Sequence, residues 1–231
     1  MAERKGSGGV PASLESVLDA ALDKAIAIQR PVVQAYLYRL RDKRREATPA
    51  QVVEMLERRY LAAVVGIGGA SGAAAVMPGA GTAVSVATGA AEITAFVSTT
   101  AMFVLALAEL HDVPLSDPEV RRALVIATLL GESGAAVIGV AEGETRHWAK
   151  SLGKTLTRER MTGMNSRLAH LFVTRFGARQ GALLFGRALP LGIGAGVGAI
   201  GNAALARSAI AASRRAFGPA PTKFPPRVID G

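Results

Sequence analysis

The chain has 231 residues, of which 50% are apolar but only 5% aromatic, and it carries a formal net charge of +9 at pH 7. It contains no cysteine, which excludes disulfides and thiolate metal sites. The apolar residues are mainly small or aliphatic, which suits closely packed helices better than a β-sandwich.

The N-terminal part of the chain predicts three helices. After residues 1–12, which we expect to be flexible, apolar residues recur at helical spacing in 13–29 and again in 32–45. The sequence Thr-Pro-Ala-Gln at 48–51 predicts the start of a third helix, because it combines capping-box spacing with proline at the first helical position.

A long stretch without charge follows this helix start. Residues 60–91 contain no charged side chain, and 11 of these 32 residues are alanine and 7 are glycine. The sequence Met-Pro-Gly-Ala-Gly at 77–81 breaks the stretch, since proline lacks a backbone donor and glycine tolerates positive φ. We therefore expect one helix to end before the break and another to run over 82–110.

The second half of the chain begins with another helix start and then becomes strongly basic. Ser116 and Glu119 have capping-box spacing and predict a helix over 120–140. Residues 146–231 hold 14 basic and 2 acidic side chains, whereas residues 61–145 hold 2 basic and 8 acidic ones. The basic third favours an anionic partner, such as lipid headgroups, nucleic acid or an acidic protein face; a merely solubilising surface is the alternative.

A second uncharged segment, residues 188–206, is also rich in glycine and alanine. Gly68 and Gly72 in the first segment, and Gly192 and Gly196 in the second, have the GxxxG spacing that lets helix backbones approach closely. We expect the two segments to pack against each other at the centre of the fold.

These patterns predict an all-α protein, a compact helical bundle with two tightly packed Gly/Ala-rich segments. No segment shows the sustained period-2 alternation of a sheet strand. One helical domain is expected over residues 13–217, followed by a flexible, proline-rich tail at residues 218–231.

The uncharged segments raise the question of a membrane span. They are long enough, but glycine and alanine add little insertion energy, and each larger aliphatic side chain adds only about 0.3–0.6 kcal/mol. We therefore favour a domain that lies on the membrane or partly enters it over a multi-span protein. The residues expected to contact anionic lipid are Trp148, Lys150, Lys154, Arg158, Arg160, Arg167, Arg175 and Arg179.

Two carboxylates, Glu92 and Glu132, stand alone in apolar helical sequence. A buried carboxylate is costly unless it is paired. The functional interpretation is a proton or cation site. The structural one, which we favour, is an ion pair or hydrogen bond within the bundle, with Arg121 or Arg122 as candidate partners.

Motifs that resemble catalytic or nucleotide-binding signatures lack the required context. The GxGxxG match at 196–201 has no βαβ unit after it, and the Gly-Lys-Thr at 153–155 has no glycine at the start of a P-loop. Ser71 and Ser133 approach a nucleophile elbow, but alanine replaces its final glycine in both. The three histidines are widely separated, so we expect no metal site and no cofactor.

Two stretches of the sequence, residues 78–131 and 186–217, resemble the EcsC family. The matching positions are Pro78, Gly79, Ala80, Gly81, Thr82, Asp117, Pro118, Arg121, Pro190, Gly192, Gly196 and Asn202. The chain departs from the family at residues 110–112, where members often have a Tyr-Gly pair, and after Asn202, where an aromatic residue is common. The resemblance implies a bacterial, helical, membrane-linked protein, in a family named after a protein encoded beside an ABC transporter, and it supplies no catalytic residues.

The sequence therefore predicts a non-enzymatic, membrane-associated accessory factor for a transporter or envelope process, at the cytoplasmic face of the bacterial inner membrane. Its partners would be anionic lipid and a membrane protein or transporter. A soluble cytoplasmic protein is the alternative location. Two other functions stay open: a lipid- or peptide-directed hydrolase using Ser71, Ser133, Glu92 or Glu132, and a nucleic-acid binder, for which charge is the only signal.

Overall fold

The computed structural model describes residues 12–28, 30–74, 82–142, 147–150, 152, 158–187 and 193–226. The α-helices in these ranges are α1 (Ala12–Ile26), α2 (Arg30–Asp42), α3 (Pro49–Ala74), α4 (Thr82–Leu110), α5 (Pro118–Leu130), α6 (Glu132–Glu142), α7 (Arg158–Arg187) and α8 (Ile193–Phe217). A short 3₁₀ helix spans Trp148–Lys150. No strand occurs in the described ranges, which confirms the predicted all-α class.

The start of α3 has the predicted capping box. The Thr48 amide donates to Gln51 Oε1 at 2.9 Å, and the Gln51 amide donates to Thr48 Oγ1 at 3.3 Å. These two reciprocal bonds satisfy donors that the first helical turn leaves without partners. Pro49, which has no amide donor, begins the helix as expected.

The predicted helix over 120–140 was wrong in two details. Asp117, not Ser116, caps α5, because its carboxylate accepts from the Glu119 amide at 2.8 Å with Pro118 at the first helical position. The helix also breaks at Gly131, whose φ of 62° and ψ of −124° form a conformation that favours glycine. The chain then starts again as α6.

Helix α4 lies at the centre of the bundle, in contact with α1, α2, α3, α5 and α8. Helix α3 packs most extensively against α8 and also lies along α4, while α5 packs against α6 and α7. The buried core includes large side chains from several of these helices, among them Leu56, Phe96, Leu124 and Phe172. The pairing of α3 with α8 confirms that the two Gly/Ala-rich segments pack together.

Contacts along α3 show that both of its main partners run antiparallel to it. Glu57 meets Arg214 of α8, whereas Val64, further along α3, meets the earlier residue Asn202. For α4, Tyr60 bonds Thr100, whereas Val64, further along α3, shares its partner Asn202 with the earlier residue Glu92. The end of α3 and the starts of α4 and α8 therefore lie at one end of the bundle, here called the Gly/Ala end.

The structure describes only part of the predicted glycine contacts. Gly68 is buried in α3, in agreement with close packing. Gly72 and Gly196 lie in α3 and α8, but the structure does not describe what surrounds them, and Gly192 lies outside the described residues.

Residues that follow α8 pack against the rest of the protein. Phe224 is half-buried against the core, and the Arg41 guanidinium carbon lies 4.1 Å from the centre of its ring. Pro225 is buried as well. This packing does not fit the flexible tail predicted from residue 218 onward, although residues 227–231 lie outside the described part of the chain.

Gly218 ends α8 in a left-handed conformation, with φ of 77° and its amide bonded to the Arg214 carbonyl at 3.0 Å. A Cβ at this position would also lie 2.5 Å from Cε1 of His147. We expect Gly218→Ala to lower the free energy of unfolding by about 1–2 kcal/mol, because an L side chain disfavours this φ. Urea denaturation measures the loss, which should persist when His147 is also changed to alanine; a rescue by that second change would assign it to the ring instead.

Candidate functional site

The lipid contact predicted for Trp148 does not fit the structure. Trp148 is only 2% exposed and belongs to the core, where it lines a cavity with Ala212 and Arg215. Its ring therefore stabilises the packing of the 3₁₀ helix against α8 instead of facing a headgroup. The neighbouring Lys150 is exposed, as a lipid contact requires.

Helix α7 carries most of the predicted lipid-contact residues. Its sequence has six arginines and one acidic residue, Glu159. Arg160, Arg167 and Arg175 are exposed, and the first two are seven residues apart, so they lie on the same side of the helix. Arg158 and Arg179 lie in α7, but the structure does not describe what surrounds their side chains. Lys154 lies outside the described residues.

The bundle neutralises part of the C-terminal positive charge. Arg214 donates two hydrogen bonds to the buried Glu57, one of them from Nε to Oε1 at 2.8 Å, and this bonding raises the pKa of the guanidinium. Arg215 pairs with Glu132 at 2.9 Å. In contrast, Arg207 is exposed on α8, and Arg167 makes no hydrogen bond or ion pair with any described residue.

The prediction that Glu132 is buried was wrong. Its side chain is 84% exposed, because it begins α6 directly after the Gly131 turn, and its partner is Arg215 instead of Arg121 or Arg122. An exposed pair of this kind contributes at most about 1 kcal/mol.

Glu92 is buried as predicted, with 4% exposure. Asn202 of α8 donates from Nδ2 to Glu92 Oε1 at 3.1 Å and to the Val64 carbonyl at 3.3 Å. One amide thus links α3, α4 and α8 near the Gly/Ala end. The arrangement supports the structural interpretation of Glu92, in which a polar partner within the bundle offsets the cost of burial.

A third buried carboxylate, Glu109, was not singled out as a site by the sequence. Arg30 donates to it from Nη2 at 2.6 Å and from Nε at 3.0 Å, and Gln34 adds a bond at 3.1 Å. The pKa of Arg30 is raised by this hydrogen bonding. The available signal was the isolated acid at the end of an apolar helix, but its partners lie more than 70 positions earlier in the chain.

The serines considered as nucleophiles have no catalytic surroundings in the described residues. Ser133 accepts a hydrogen bond from Arg175, and no described histidine bonds to it. Ser71 lies within α3, where its side-chain surroundings are not described. The described residues also hold no group of three or more His, Asp or Glu side chains that could bind a metal.

His111 occupies a buried position at the end of α4. Its ring lies 5.3 Å from that of Phe217, and its Nδ1 is buried without a hydrogen-bond partner among the described residues. Burial, together with the nearby charges of Lys150 and His147, lowers the pKa of His111 to about 4. The neutral imidazole is therefore part of the fold.

An apolar groove of about 350 Å³ lies between the α1–α2 connection, α2, α3 and α4. It is lined by Ile28, Tyr36, Leu56, Arg59, Tyr60, Ala63, Ser98, Thr99, Met102 and Phe103. The Tyr60 and Phe103 rings stack at a centroid distance of 4.4 Å, and the Tyr60 hydroxyl lies 2.9 Å from Thr100 Oγ1. The smaller cavity beside Trp148 has about 180 Å³.

The Gly/Ala end is neither wholly buried nor wholly exposed. On α3, Val64 and Gly68 are buried, whereas Ala63, Gly66 and Ala70 are exposed. On α8, Ile200 is 72% exposed. Among the described residues one segment, Ala90–Leu110 of α4, is long and apolar enough to cross a membrane, and 72% of its most apolar window is buried inside the protein.

Comparisons with protein families, with curated proteins and with solved structures find no match to this chain.

Proposed function

We propose that this chain is a non-enzymatic helical protein that associates with membranes and contacts anionic lipid through α7, as an accessory factor for a transporter or envelope process. The observation that carries the proposal is the exposed basic side of α7. Arg160 and Arg167 lie on one side of a helix that has six arginines and a single acid. Each arginine close to an anionic surface adds about 1 kcal/mol of attraction.

Two further observations support a peripheral contact. The most apolar helix is mostly buried, so its hydrophobic side chains stabilise the bundle. Ile200, in contrast, is exposed at the Gly/Ala end, where a large apolar side chain is available to the membrane interface. The resemblance to the EcsC family is the reason for naming a transporter or envelope process and the cytoplasmic face of the inner membrane.

Vesicle co-sedimentation tests this function. We expect the protein to bind vesicles that contain phosphatidylglycerol and to ignore vesicles of phosphatidylcholine alone at low salt. The double variant Arg160→Gln/Arg167→Gln should weaken binding about 30-fold, the equivalent of about 2 kcal/mol for two arginines. The control is Arg39→Gln/Arg44→Gln, which removes the same charge from exposed positions near the end of α2.

Equal losses in the two double variants would show that net charge, not the α7 surface, governs binding. Absence of binding to either kind of vesicle would overturn the membrane function. Retention on DNA with a steep salt dependence, combined with no preference for anionic vesicles, would favour a nucleic-acid binder.

A further inference from the structure

We propose that the groove between the α1–α2 connection, α2, α3 and α4 binds one molecule of a single-chain anionic amphiphile, such as a fatty acid. Its carboxylate would contact Arg59, and its hydrocarbon chain would lie along Met102 and Phe103. This site is separate from α7 and does not depend on the proposed membrane contact.

Arg59 provides the cation at the rim of the groove. It is exposed, and it makes no hydrogen bond or ion pair with any described residue. The adjacent Arg58 differs, because it pairs with Glu54 at 3.1 Å one turn earlier on α3. Arg59 therefore keeps its planar set of donors available for a carboxylate, which can accept two parallel hydrogen bonds from a guanidinium.

The floor of the groove is suited to a hydrocarbon chain. The rings of Tyr60 and Phe103 stack on each other and form part of the apolar lining, although each residue is only 3% exposed. The flexible side chain of Met102, which is half-buried, adds an adaptable apolar surface. The Tyr60 hydroxyl is occupied by its bond to Thr100, and burial raises the pKa of Tyr60, so no phenolate lies near the chain. The volume of about 350 Å³ is in the range of small-molecule sites.

A polar atom inside the groove also lacks a partner. Ser98 lines the groove, and its Oγ is buried without a hydrogen bond to any described residue. A buried hydroxyl without a partner costs about 1–3 kcal/mol. The hydrocarbon chain cannot hydrogen-bond this hydroxyl, so a water molecule beside the chain would supply the missing partner.

Binding of dodecanoate below its micellar concentration tests the proposal in the absence of vesicles, so the result is independent of the membrane function. We expect isothermal titration calorimetry to show saturable binding of one molecule per chain. Arg59→Gln should weaken dodecanoate binding about tenfold, because it removes a charge-assisted hydrogen bond. Arg58→Gln, which removes the same charge at the neighbouring position, should leave the affinity unchanged.

Two further comparisons separate the contribution of the ligand's headgroup to the affinity from that of its hydrocarbon chain. Dodecanol should bind the unmodified protein and the Arg59→Gln variant equally well, because dodecanol has no negative charge. Ala63→Phe should block the groove and reduce binding of both ligands at least tenfold, whereas Ala62→Phe, an exposed position outside the groove, should not. Circular dichroism melts verify that the variants fold.

Three outcomes would overturn the proposal: no saturable binding by the unmodified protein, equal effects of the Ala62 and Ala63 variants, or an equal loss of dodecanol and dodecanoate in Arg59→Gln. If Ala63→Phe fails to fold, the paired arginine variants still decide the question, since both positions are exposed.

Discussion

Gly134→Ala is expected to lower the free energy of unfolding by about 1–2 kcal/mol, although the same change stabilises most helices. A Cβ at this position of α6 would lie 2.5 Å from the Cα of Ala127 in α5 and would overlap the carbonyl group of that residue. These are backbone atoms, so the two helices have to separate. The cost of overpacking, about 1–3 kcal/mol or more, exceeds the helix-propensity gain of about 1 kcal/mol.

Gly163→Ala provides the matched control. Gly163 lies within α7, is exposed, and has nothing within 4 Å of the position of a Cβ. This change should raise the free energy of unfolding by up to about 1 kcal/mol, because alanine is the better helix former. Urea denaturation of both variants measures the difference. Stabilisation by both changes would show that α5 and α6 separate easily and that the close approach at Gly134 contributes little.

Acidification is expected to destabilise the protein between about pH 6.5 and pH 4 through His111. The pKa of this histidine is lowered from 6.5 to about 4, first by burial and then by the charges of Lys150 and His147. In this window the unfolded chain binds a proton that the folded chain does not, so the free energy of unfolding falls as the pH falls. The loss reaches about 2–3 kcal/mol near pH 4 and is absent above pH 6.5.

His111→Phe should remove this contribution, since phenylalanine can keep the contact with the Phe217 ring but does not titrate. Denaturation curves at several pH values would then show a smaller loss of stability in this variant than in the unmodified protein. His170→Gln, at an exposed position of α7, should retain the full loss. If His111→Phe and the unmodified protein lose stability in parallel, other groups are responsible for the acid sensitivity.

The glycines of this chain show that sequence spacing alone does not predict which of them lie in a close helix contact. GxxxG spacing predicted that the first Gly/Ala-rich segment packs closely, and Gly68 is buried. Yet Gly66 and Gly69 in the same segment have nothing within 4 Å of a Cβ. The tight approach to Ala127 occurs instead at Gly134, which the sequence placed inside a continuous helix. The sequence does not distinguish a glycine that faces a neighbouring helix from one that faces solvent. That difference depends on how the helix is rotated about its axis in the fold.

The burial of charged groups could not be predicted from local sequence either. The sequence marked Glu92 and Glu132 alike, as lone acids in apolar helical sequence. The turn at Gly131 exposes Glu132, while Glu92 faces the centre of the bundle and meets Asn202. The basic third also divided, since Glu57 and Glu132 pair with arginines of α8, whereas Arg167 of α7 makes no hydrogen bond or ion pair with any described residue. The groove beside Arg59 had no signal in the sequence, because its lining comes from separate parts of the chain.

By itself the sequence determined the features that depend on residues within about one helical turn: the helical class, the capping box at the start of α3 and the start of α4 at Thr82. Only the tertiary structure decided which side of each helix is buried, and with it the burial of Trp148, the exposure of Glu132 and the partner of Glu92. These outcomes depend on contacts between distant residues, such as Asn202 with Val64 across 138 positions. The spacing of residues along a helix determines which of them share a face, but not whether that face packs against another helix or is exposed to solvent.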